Sequence, residues 1–189
     1  MARRATLAEV IFVSAGIGKG KTTSCLYVFE KARSLSIRTG GIISPRRIVE
    51  GKLTGYDGLD CTTGERFPLV ALPEAGEGPG WSRVGGLRFV FSGEGFSRAN
   101  AVLGALPSDA PELVFVDEVG KLEMMGKGLY PGVQALADGL ARMRSVMICS
   151  CRLEAVEWAE GLMGKRIPRV RWRPGEPEEL WRLVRDRLP

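Results

Sequence analysis

The sequence predicts an α/β fold, a mostly parallel sheet flanked by helices, with an insertion of antiparallel hairpins. Short apolar runs rich in β-branched and aromatic residues alternate with stretches of helical periodicity, as in chains that form parallel sheets. Residues 46–72 depart from this alternation, because short β-prone pieces are broken there by glycine-containing turns. No shift in composition divides the 189 residues, so residues 1–189 are predicted to form one domain.

The first half of the chain supplies two buried strands and the hairpins. Residues 8–14 form an apolar run that predicts the first strand, and a glycine-rich turn leads from it into a helical stretch. Residues 36–45 predict a second strand that ends at its proline. After the hairpin insertion 46–72, residues 73–86 hold five glycines and two prolines, which predicts a long glycine-rich loop.

The second half of the chain alternates regularly between apolar runs and amphipathic stretches. Each apolar run is short enough for a strand, and each amphipathic stretch that follows is long enough for a helix. The predicted strands are 87–91, 111–118, 145–151 and 167–172, and the predicted helices are 92–106, 130–144, 153–163 and 177–188.

Composition excludes several kinds of chemistry. The chain contains no histidine, which rules out Ser–His and Cys–His catalysis and zinc sites built on imidazole. The four cysteines show no CxxC spacing, so we expect free, buried thiols in a reducing compartment, with Cys149 and Cys151 on one face of a strand.

The distribution of charge and apolar residues also limits the partners. The net charge of +5 is spread along the chain, which permits an acidic ligand but does not indicate nucleic acid. The apolar run near the N-terminus is too short for a signal peptide or a membrane span. We therefore expect a cytoplasmic protein that does not contact membranes.

The clearest motif is the glycine-rich turn AGIGKGKT at residues 15–22. It matches the phosphate-loop pattern G-x-x-x-x-G-K-[ST], except that Ala15 replaces the first glycine. Glycines let successive N–H groups curve around an anion, and the following helix N-terminus adds positive charge. We expect an exposed Lys21 that reaches the β- and γ-phosphates, and a Thr22 hydroxyl that binds Mg²⁺. The predicted nucleotide-binding residues of this turn are Ala15, Gly16, Ile17, Gly18, Lys19, Gly20, Lys21, Thr22 and Thr23.

A second motif supports a nucleoside triphosphate as the ligand. The apolar strand LVFV ends in Asp117 and Glu118, and phosphate-loop enzymes need a carboxylate at the end of a neighbouring strand to hold magnesium. Asp117 is therefore the predicted second Mg²⁺ ligand beside Thr22. Glu118 faces a different side and is the predicted base for the attacking water. Lys21 and Glu118 are the predicted catalytic residues.

Several other side chains leave two interpretations open. Lys121 and Glu123 either reach the site or pair with each other at the surface. Arg46 and Arg47 are either surface residues of a hairpin or the source of an arginine finger. Trp81 either stacks on a base or anchors the glycine-rich segment. No [NT]-K-x-D motif occurs, so loose base specificity is expected.

The run DEVGKLEM at residues 117–124 resembles the small P-loop nucleoside-triphosphatase family described from thermophiles and as the cancer-related NTPase. The resemblance continues over GGIISPRRIVEGKLTGYDGLDCTTGERFPL and FVFSGEGFSRANAVL, so that it covers residues 8–150. It implies a RecA-like P-loop core and slow, base-tolerant hydrolysis of ATP, GTP and other nucleoside triphosphates. It further implies that Asp117 and Glu118 serve magnesium and water, and that phosphate is bound by Gly16, Gly18, Lys19, Gly20, Lys21, Thr22 and Thr23.

The resemblance has departures and rivals. Besides Ala15, Lys19 stands where the family has a small or apolar residue, and Arg46-Arg47 stands where it more often has Glu-Val. The loop GIGKGKTT also resembles that of the corrinoid adenosyltransferases, and molybdopterin-guanine-dinucleotide accessory proteins have a similar size and loop. Neither rival explains DEVGKLEM. A nucleotide-switched binding module would use the same residues and stays open.

Overall fold

A ten-stranded sheet runs through the part of the chain that the computed structural model describes, residues 8–76 and 78–189. Helices cover both of its faces. The strands are β1 (Glu9–Ser14), β2 (Thr39–Ile43), β3 (Arg46–Val49), β4 (Lys52–Asp60), β5 (Arg66–Ala71), β6 (Trp81–Arg83), β7 (Val90–Ser92), β8 (Leu113–Val119), β9 (Val146–Cys151) and β10 (Arg169–Trp172). The helices are α1 (Lys21–Ser34), α2 (Gly93–Asp109), α3 (Lys121–Met124), α4 (Tyr130–Leu140), α5 (Val156–Leu162) and α6 (Pro177–Arg185).

The sheet has a parallel half and an antiparallel half. Strands β10, β1, β9, β8 and β2 lie side by side in this order and are all parallel. Beyond β2 follow β4, β5, β7 and β6, each antiparallel to its neighbour, and β3 pairs with β4 alone. The α/β class with parallel strands flanked by helices is thus confirmed, and β6 and β7 extend the antiparallel part beyond the predicted hairpins.

The strand before the glycine-rich turn is buried on both faces. Because side chains alternate along a strand, Val10 and Phe12 face the core under α2 and α4, while Ile11 and Val13 face the core under α1 and α6. A parallel strand that is covered on both faces has a nearly continuous apolar sequence, which is why the first strand could be predicted. The turn that follows β1 therefore starts from a rigid support.

The segment between the hairpins and α2 differs from its prediction. The glycine-rich residues 73–86 are not all loop, since a short 3₁₀ turn spans Pro73–Ala75 and β6 pairs with β7 at the edge of the sheet. The predicted strand 87–91 is wrong in its first three residues, because the strand begins at Val90. The three residues before it line a large cavity instead of joining the sheet.

Two helices also end elsewhere than predicted. The predicted helix 92–106 continues past Pro107 as α2. Gly139 of α4 makes room for this proline, since a Cβ at Gly139 would lie 2.4 Å from the Pro107 Cβ. Helix α4 ends at Leu140, short of residue 144, and the four-residue helix α3 was not predicted.

The cysteines and tryptophans lie where the apolar pattern places them. All four cysteines are free and buried, and Cys149 and Cys151 share one face of β9, as predicted. Trp181 of α6 is buried, while Trp158 packs against one core and Trp172 against the other. Among the described residues, no helix is both long and apolar enough to cross a membrane.

Strands β2 and β8 approach each other closely at Gly41. Its φ of 101° is rarely adopted by residues with a side chain, and a Cβ there would lie 2.0 Å from the carbonyl oxygen of Phe115. Gly41 is paired with Phe115 in the parallel ladder, two residues before Asp117. The position of Asp117 therefore depends on a glycine in the adjacent strand.

We predict that Gly41→Ala lowers the free energy of unfolding by more than the ~1–3 kcal/mol that an unfavourable backbone conformation costs alone, because the two strands must also separate. Urea unfolding followed by circular dichroism measures the change. The control is Gly104→Ala, at an exposed position of α2 where a Cβ meets nothing within 4 Å. We expect this control to gain about 0.5–1 kcal/mol. Equal unfolding free energies for the two variants would show that the close approach of β2 and β8 does not require glycine at position 41.

Candidate active site

The glycine-rich turn forms a tight loop between β1 and α1. Gly18 and Gly20 have φ angles of 71° and 83°, in the left-handed region that favours glycine. Gly20 directly precedes α1, so the loop delivers its backbone to the N-terminus of a fourteen-residue helix. Free N–H groups and the helix dipole make such an end a binding site for anions.

Lys21 closes this loop from inside. Its Nζ donates hydrogen bonds to the carbonyl oxygens of Ala15 and Gly16, at 3.3 and 3.2 Å. The residue is only 3% exposed, so the expectation of an exposed lysine is wrong. Burial follows because the ammonium group folds back over the loop, where two carbonyl oxygens and a carboxylate compensate its charge. Ala15 and Gly16 act through these carbonyls and do not line the cavity.

The carboxylate that meets Lys21 belongs to the second motif. Glu118 Oε1 lies 3.6 Å from Lys21 Nζ. The two motifs, about 100 residues apart in the sequence, are thus joined by an ion pair at the carboxyl ends of the parallel strands. This edge is where open α/β sheets bind ligands.

Asp117 is fixed by Ser150 of β9 and by Ser44, the residue that follows β2. It is fully buried, and Ser150 Oγ donates a hydrogen bond to its Oδ1 while the Ser44 amide donates to its Oδ2 at 3.1 Å. Ser150 belongs to β9, which lies between β1 and β8. The prediction that the strand of Asp117 is a neighbour of the first strand is wrong, because β9 lies between β1 and β8 and supplies the hydroxyl that donates to Asp117.

Glu118 has an unusual backbone. Its φ of 65° is in the left-handed region, and the pairing of β8 with β9 is irregular between Val116 and Val119. Such a conformation persists only where the surroundings hold it. Here the Glu118 amide donates a hydrogen bond to Ser150 Oγ at 3.0 Å. The twist turns the Glu118 side chain towards Lys21 and leaves it 35% exposed, while Asp117 stays buried.

Burial raises the pKa of Glu118, and the neighbouring Asp117 charge raises it further. Lys21 and Arg152 act in the opposite direction. A carboxylate with a raised pKa binds a proton more readily than an ordinary glutamate, which suits a general base. The arrangement can therefore accept a proton beside an anion held by the loop.

The donor set near the loop fits a magnesium ion. Thr22 follows Lys21 in the first turn of α1 and lines the cavity together with Asp117 and Glu118. Hydroxyl and carboxylate oxygens are the hard donors that Mg²⁺ prefers, and this ion keeps several waters beside one or two carboxylates and phosphate oxygens. Both Asp117 oxygens already accept hydrogen bonds, which suits contact with the ion's water shell.

The two adjacent arginines have different surroundings. A Cβ at Gly18 would lie 3.6 Å from Arg46 Nη2, so Arg46 reaches over the phosphate loop. Arg47 instead forms an ion pair with Asp57 at 3.2 Å, and its side chain passes over Gly55, where a Cβ would lie 2.8 Å from Arg47 Nη2. Of the two arginines, Arg46 is the one in reach of a bound phosphate.

The other residues that the sequence left with two interpretations also differ in their surroundings. Glu123 is buried and accepts hydrogen bonds from the amides of Gly120 and Leu129 at 2.9 and 3.0 Å, which excludes the alternative in which it pairs with Lys121 at the surface. Lys121 is exposed at the cavity wall. Trp81 packs near Gly76 and is not part of that wall, which favours the anchoring interpretation.

Arg152 also lines the cavity and was not predicted from the sequence. Its side chain lies beside Gly120, where a Cβ would be 3.4 Å from Arg152 Cδ, and its charge acts on Glu118. No motif marks it. The available signal was its position, one residue after the predicted strand 145–151 at the edge that holds the site.

A single cavity of 690 Å³ connects these residues. Residues 17–23 of the loop and α1 form one end, with Asp117 and Glu118 beside them. From there the cavity extends along the antiparallel half of the sheet. The predicted site residues Ile17, Gly18, Lys19, Gly20, Lys21, Thr22, Thr23, Asp117 and Glu118 are therefore brought together.

Comparisons with known proteins agree with this geometry. A family model described as NTPase matches residues 10–150. The nucleoside-triphosphatase THEP1 of Pyrobaculum calidifontis is 29% identical over 134 residues, 71% of this chain and 70% of the relative. The protein of the same name from Methanopyrus kandleri is 31% identical over 121 residues, 64% of this chain and 63% of the relative.

Two solved structures share the fold. A human cancer-related nucleoside triphosphatase superposes with a TM-score of 0.65 at 20% identity, over 96% of each chain. THEP1 from Aquifex aeolicus gives a TM-score of 0.62 at 18% identity, over 93% of this chain and 98% of the other. The family model spans both the loop and the acidic pair of β8. The chain belongs to the NTPase family.

Proposed function

We propose that this protein hydrolyses nucleoside triphosphates to the diphosphate and phosphate with the help of Mg²⁺. The observation that carries the proposal is the ion pair between Lys21 and Glu118, because it places the phosphate-binding lysine and a carboxylate with a raised pKa at one point. The names of the relatives, nucleoside-triphosphatase THEP1, support the same activity.

The loop binds the triphosphate by its backbone and by Lys21. Residues 17–23 present N–H groups at the start of α1, and Lys21 Nζ exchanges its pairing with Glu118 for contact with the β- and γ-phosphates. Arg46 and Arg152 approach from two further sides and stabilise charge on the transferred group. Thr22 and Asp117 would hold a magnesium ion, Asp117 through the ion's water shell, and the ion would supply positive charge to the phosphate oxygens.

Glu118 takes the proton of the attacking water. The water oxygen forms a bond to the γ-phosphorus, the bond from that phosphorus to the bridging oxygen breaks, and the water proton passes to the Glu118 carboxylate. Ser150 Oγ donates a hydrogen bond to Asp117 and accepts one from the Glu118 amide. The two carboxylates therefore keep a fixed relative position.

The cellular setting stays a prediction. The four thiols are free and buried, which agrees with a reducing, cytoplasmic compartment. The net charge of +5 suits a polyanionic small molecule as substrate.

We predict that Glu118→Gln reduces turnover by ~10²-fold or more, the usual scale of a positioned base, and retains Mg²⁺–nucleotide affinity. Asp117→Asn should weaken the magnesium-dependent part of binding as well as the rate, because Asp117 orients the ion's water. Phosphate release and equilibrium nucleotide titration, each with and without Mg²⁺, measure the two effects. Equal loss of affinity in both variants, or nearly normal turnover of Glu118→Gln, would show that these roles are wrongly divided.

The two arginines provide a matched pair. Arg46→Ala should lower kcat at least about tenfold, since a cation over the γ-phosphate contributes to transition-state stabilisation. Arg47→Ala should keep kcat within about twofold and lower the free energy of unfolding by no more than ~1 kcal/mol, as its pairing with Asp57 is a near-surface ion pair. Steady-state kinetics and urea unfolding of both variants test this; the same kcat for both would refute a special role for Arg46.

We predict that ATP and GTP are hydrolysed with kcat/KM values within about tenfold, or about 1.4 kcal/mol. The reason is that no guanine-reading motif occurs in the chain. A panel of ribo- and deoxyribonucleoside triphosphates with phosphate release as readout measures this ratio. A preference of about a thousandfold for one base would require a dedicated base pocket.

A further inference from the structure

The cavity continues well beyond the phosphate loop. Its far part, here named the second compartment, is bounded by the antiparallel half of the sheet, by the segment before β7 and by the start of α2. Its walls include Tyr56, Val70, Leu87, Phe89, Phe91 and Phe96. The whole cavity of 690 Å³ lies within the ~300–1,000 Å³ typical of small-molecule sites, and the proposed hydrolysis uses none of these six side chains.

The sheet itself leads from the loop into this compartment. Residues paired directly across adjacent strands face the same side. Arg46 pairs with Tyr56, Tyr56 with Val70, and Val70 with Phe91, across β3, β4, β5 and β7. Three strand spacings of ~4.8 Å give this row a length of about 14 Å. The Arg46 end of the row lies at Gly18 of the phosphate loop, so one continuous floor joins the two parts of the cavity.

Aromatic rings line the row and the wall opposite. Tyr56 contacts Phe89 edge to face, with ring centroids 5.6 Å apart, and Phe91 contacts Phe96 at 6.1 Å. The Arg88 guanidinium lies 5.6 Å from the centroid of the Phe89 ring. Rings and a guanidinium plane arranged in this way present flat surfaces on which a planar, aromatic ligand can stack.

The charge of the second compartment is positive. Arg46, Arg66 and Arg88 line the cavity, whereas the wall residues contributed by the antiparallel half and α2 include no carboxylate. Within residues 8–76 and 78–189, none of these three arginines forms an ion pair, although Arg47 pairs with Asp57 and Arg98 with Glu65. Flat apolar walls with unpaired guanidinium groups are complementary to an aromatic anion.

We propose that the second compartment binds a nucleoside monophosphate, which accepts the γ-phosphoryl group of the bound triphosphate. The proposal rests on the proposed function, because it uses the same donor site. The base stacks among the rings of the second compartment, and the phosphate of the acceptor lies at the Arg46 end, next to the γ-phosphate. The protein is then a phosphotransferase that hydrolyses its donor when the acceptor is absent.

The transfer balances without a further reactant. An oxygen of the acceptor phosphate forms a bond to the γ-phosphorus, and the bond from that phosphorus to the bridging oxygen breaks, with its electron pair leaving on the diphosphate. The products are two nucleoside diphosphates. Because the acceptor oxygen is already anionic, no proton is removed, and Glu118 is not needed as a base. Hydrolysis and transfer therefore differ in their dependence on Glu118.

This difference defines the experiment. Wild-type protein and Glu118→Gln are incubated with Mg²⁺ and [γ-³²P]ATP, alone and with AMP, GMP, CMP or UMP, and the products are separated by thin-layer chromatography. We expect labelled nucleoside diphosphate with at least one acceptor, and in Glu118→Gln we expect transfer to exceed phosphate release by about tenfold or more, since only hydrolysis loses its base. Label in inorganic phosphate alone, for every acceptor and both proteins, overturns the proposal. Absence of phosphate release by the wild type without acceptor overturns the hydrolytic function instead.

A pair of variants locates the acceptor site. Arg88→Ala should raise the KM for the monophosphate about tenfold, the effect of losing one charged contact. The matched control is Arg142→Ala, an exposed arginine that follows α4 near the amino end of β9, at the opposite edge of the sheet. Thermal unfolding checks that both variants are folded. The same acceptor KM in the two variants would place the acceptor outside the second compartment.

Discussion

The buried carboxylate of Asp117 is the group around which the carboxyl edge of the sheet is organised. A charge with no exposure to water costs several kcal/mol unless donors compensate it, and here the donors come from β9 and from the residue that follows β2. Three adjacent strands are thus held in one arrangement by a single side chain. Ser150 uses the same oxygen to accept a hydrogen bond from the Glu118 amide, so the position of Glu118 depends on the hydrogen bonds that satisfy Asp117.

This dependence explains why strain is tolerated at the site. Glutamate in a left-handed conformation costs about 1–3 kcal/mol, and the irregular pairing of β8 beside it gives up regular ladder hydrogen bonds. In return, the Glu118 side chain turns towards Lys21 while Asp117 stays in the core. A regular strand would send the Glu118 side chain to the opposite face of the sheet from Asp117.

The parts that were predictable from the sequence are those encoded locally. The phosphate loop and the acidic pair follow buried strands at short, fixed spacing, and alternation of strands and helices indicates the fold class. Ser44, Ser150 and Arg152 were missed because their roles arise from the order of strands, in which β9 separates β1 from β8. The burial of Lys21 was missed because it depends on the folded shape of the loop, whose carbonyl oxygens accept its hydrogen bonds, and on Glu118, which is far away in the sequence. That residues 1–189 form one domain stays a prediction, since residues 1–7 lie outside the described part.

The hairpin that carries Arg46 is attached to the sheet differently from the loop that it covers. Strand β1 has a neighbour on each side, whereas β3 is bonded to β4 alone, and Ile48 and Val49 at its end are each 52% exposed. Few buried contacts and a single ladder give a segment low local stability. A polyanion bound at the loop as proposed would contact Arg46 and so add a contact to this hairpin, which would couple occupancy of the site to the order of β3 by mass action. The nucleotide would then stabilise the hairpin that covers its own site.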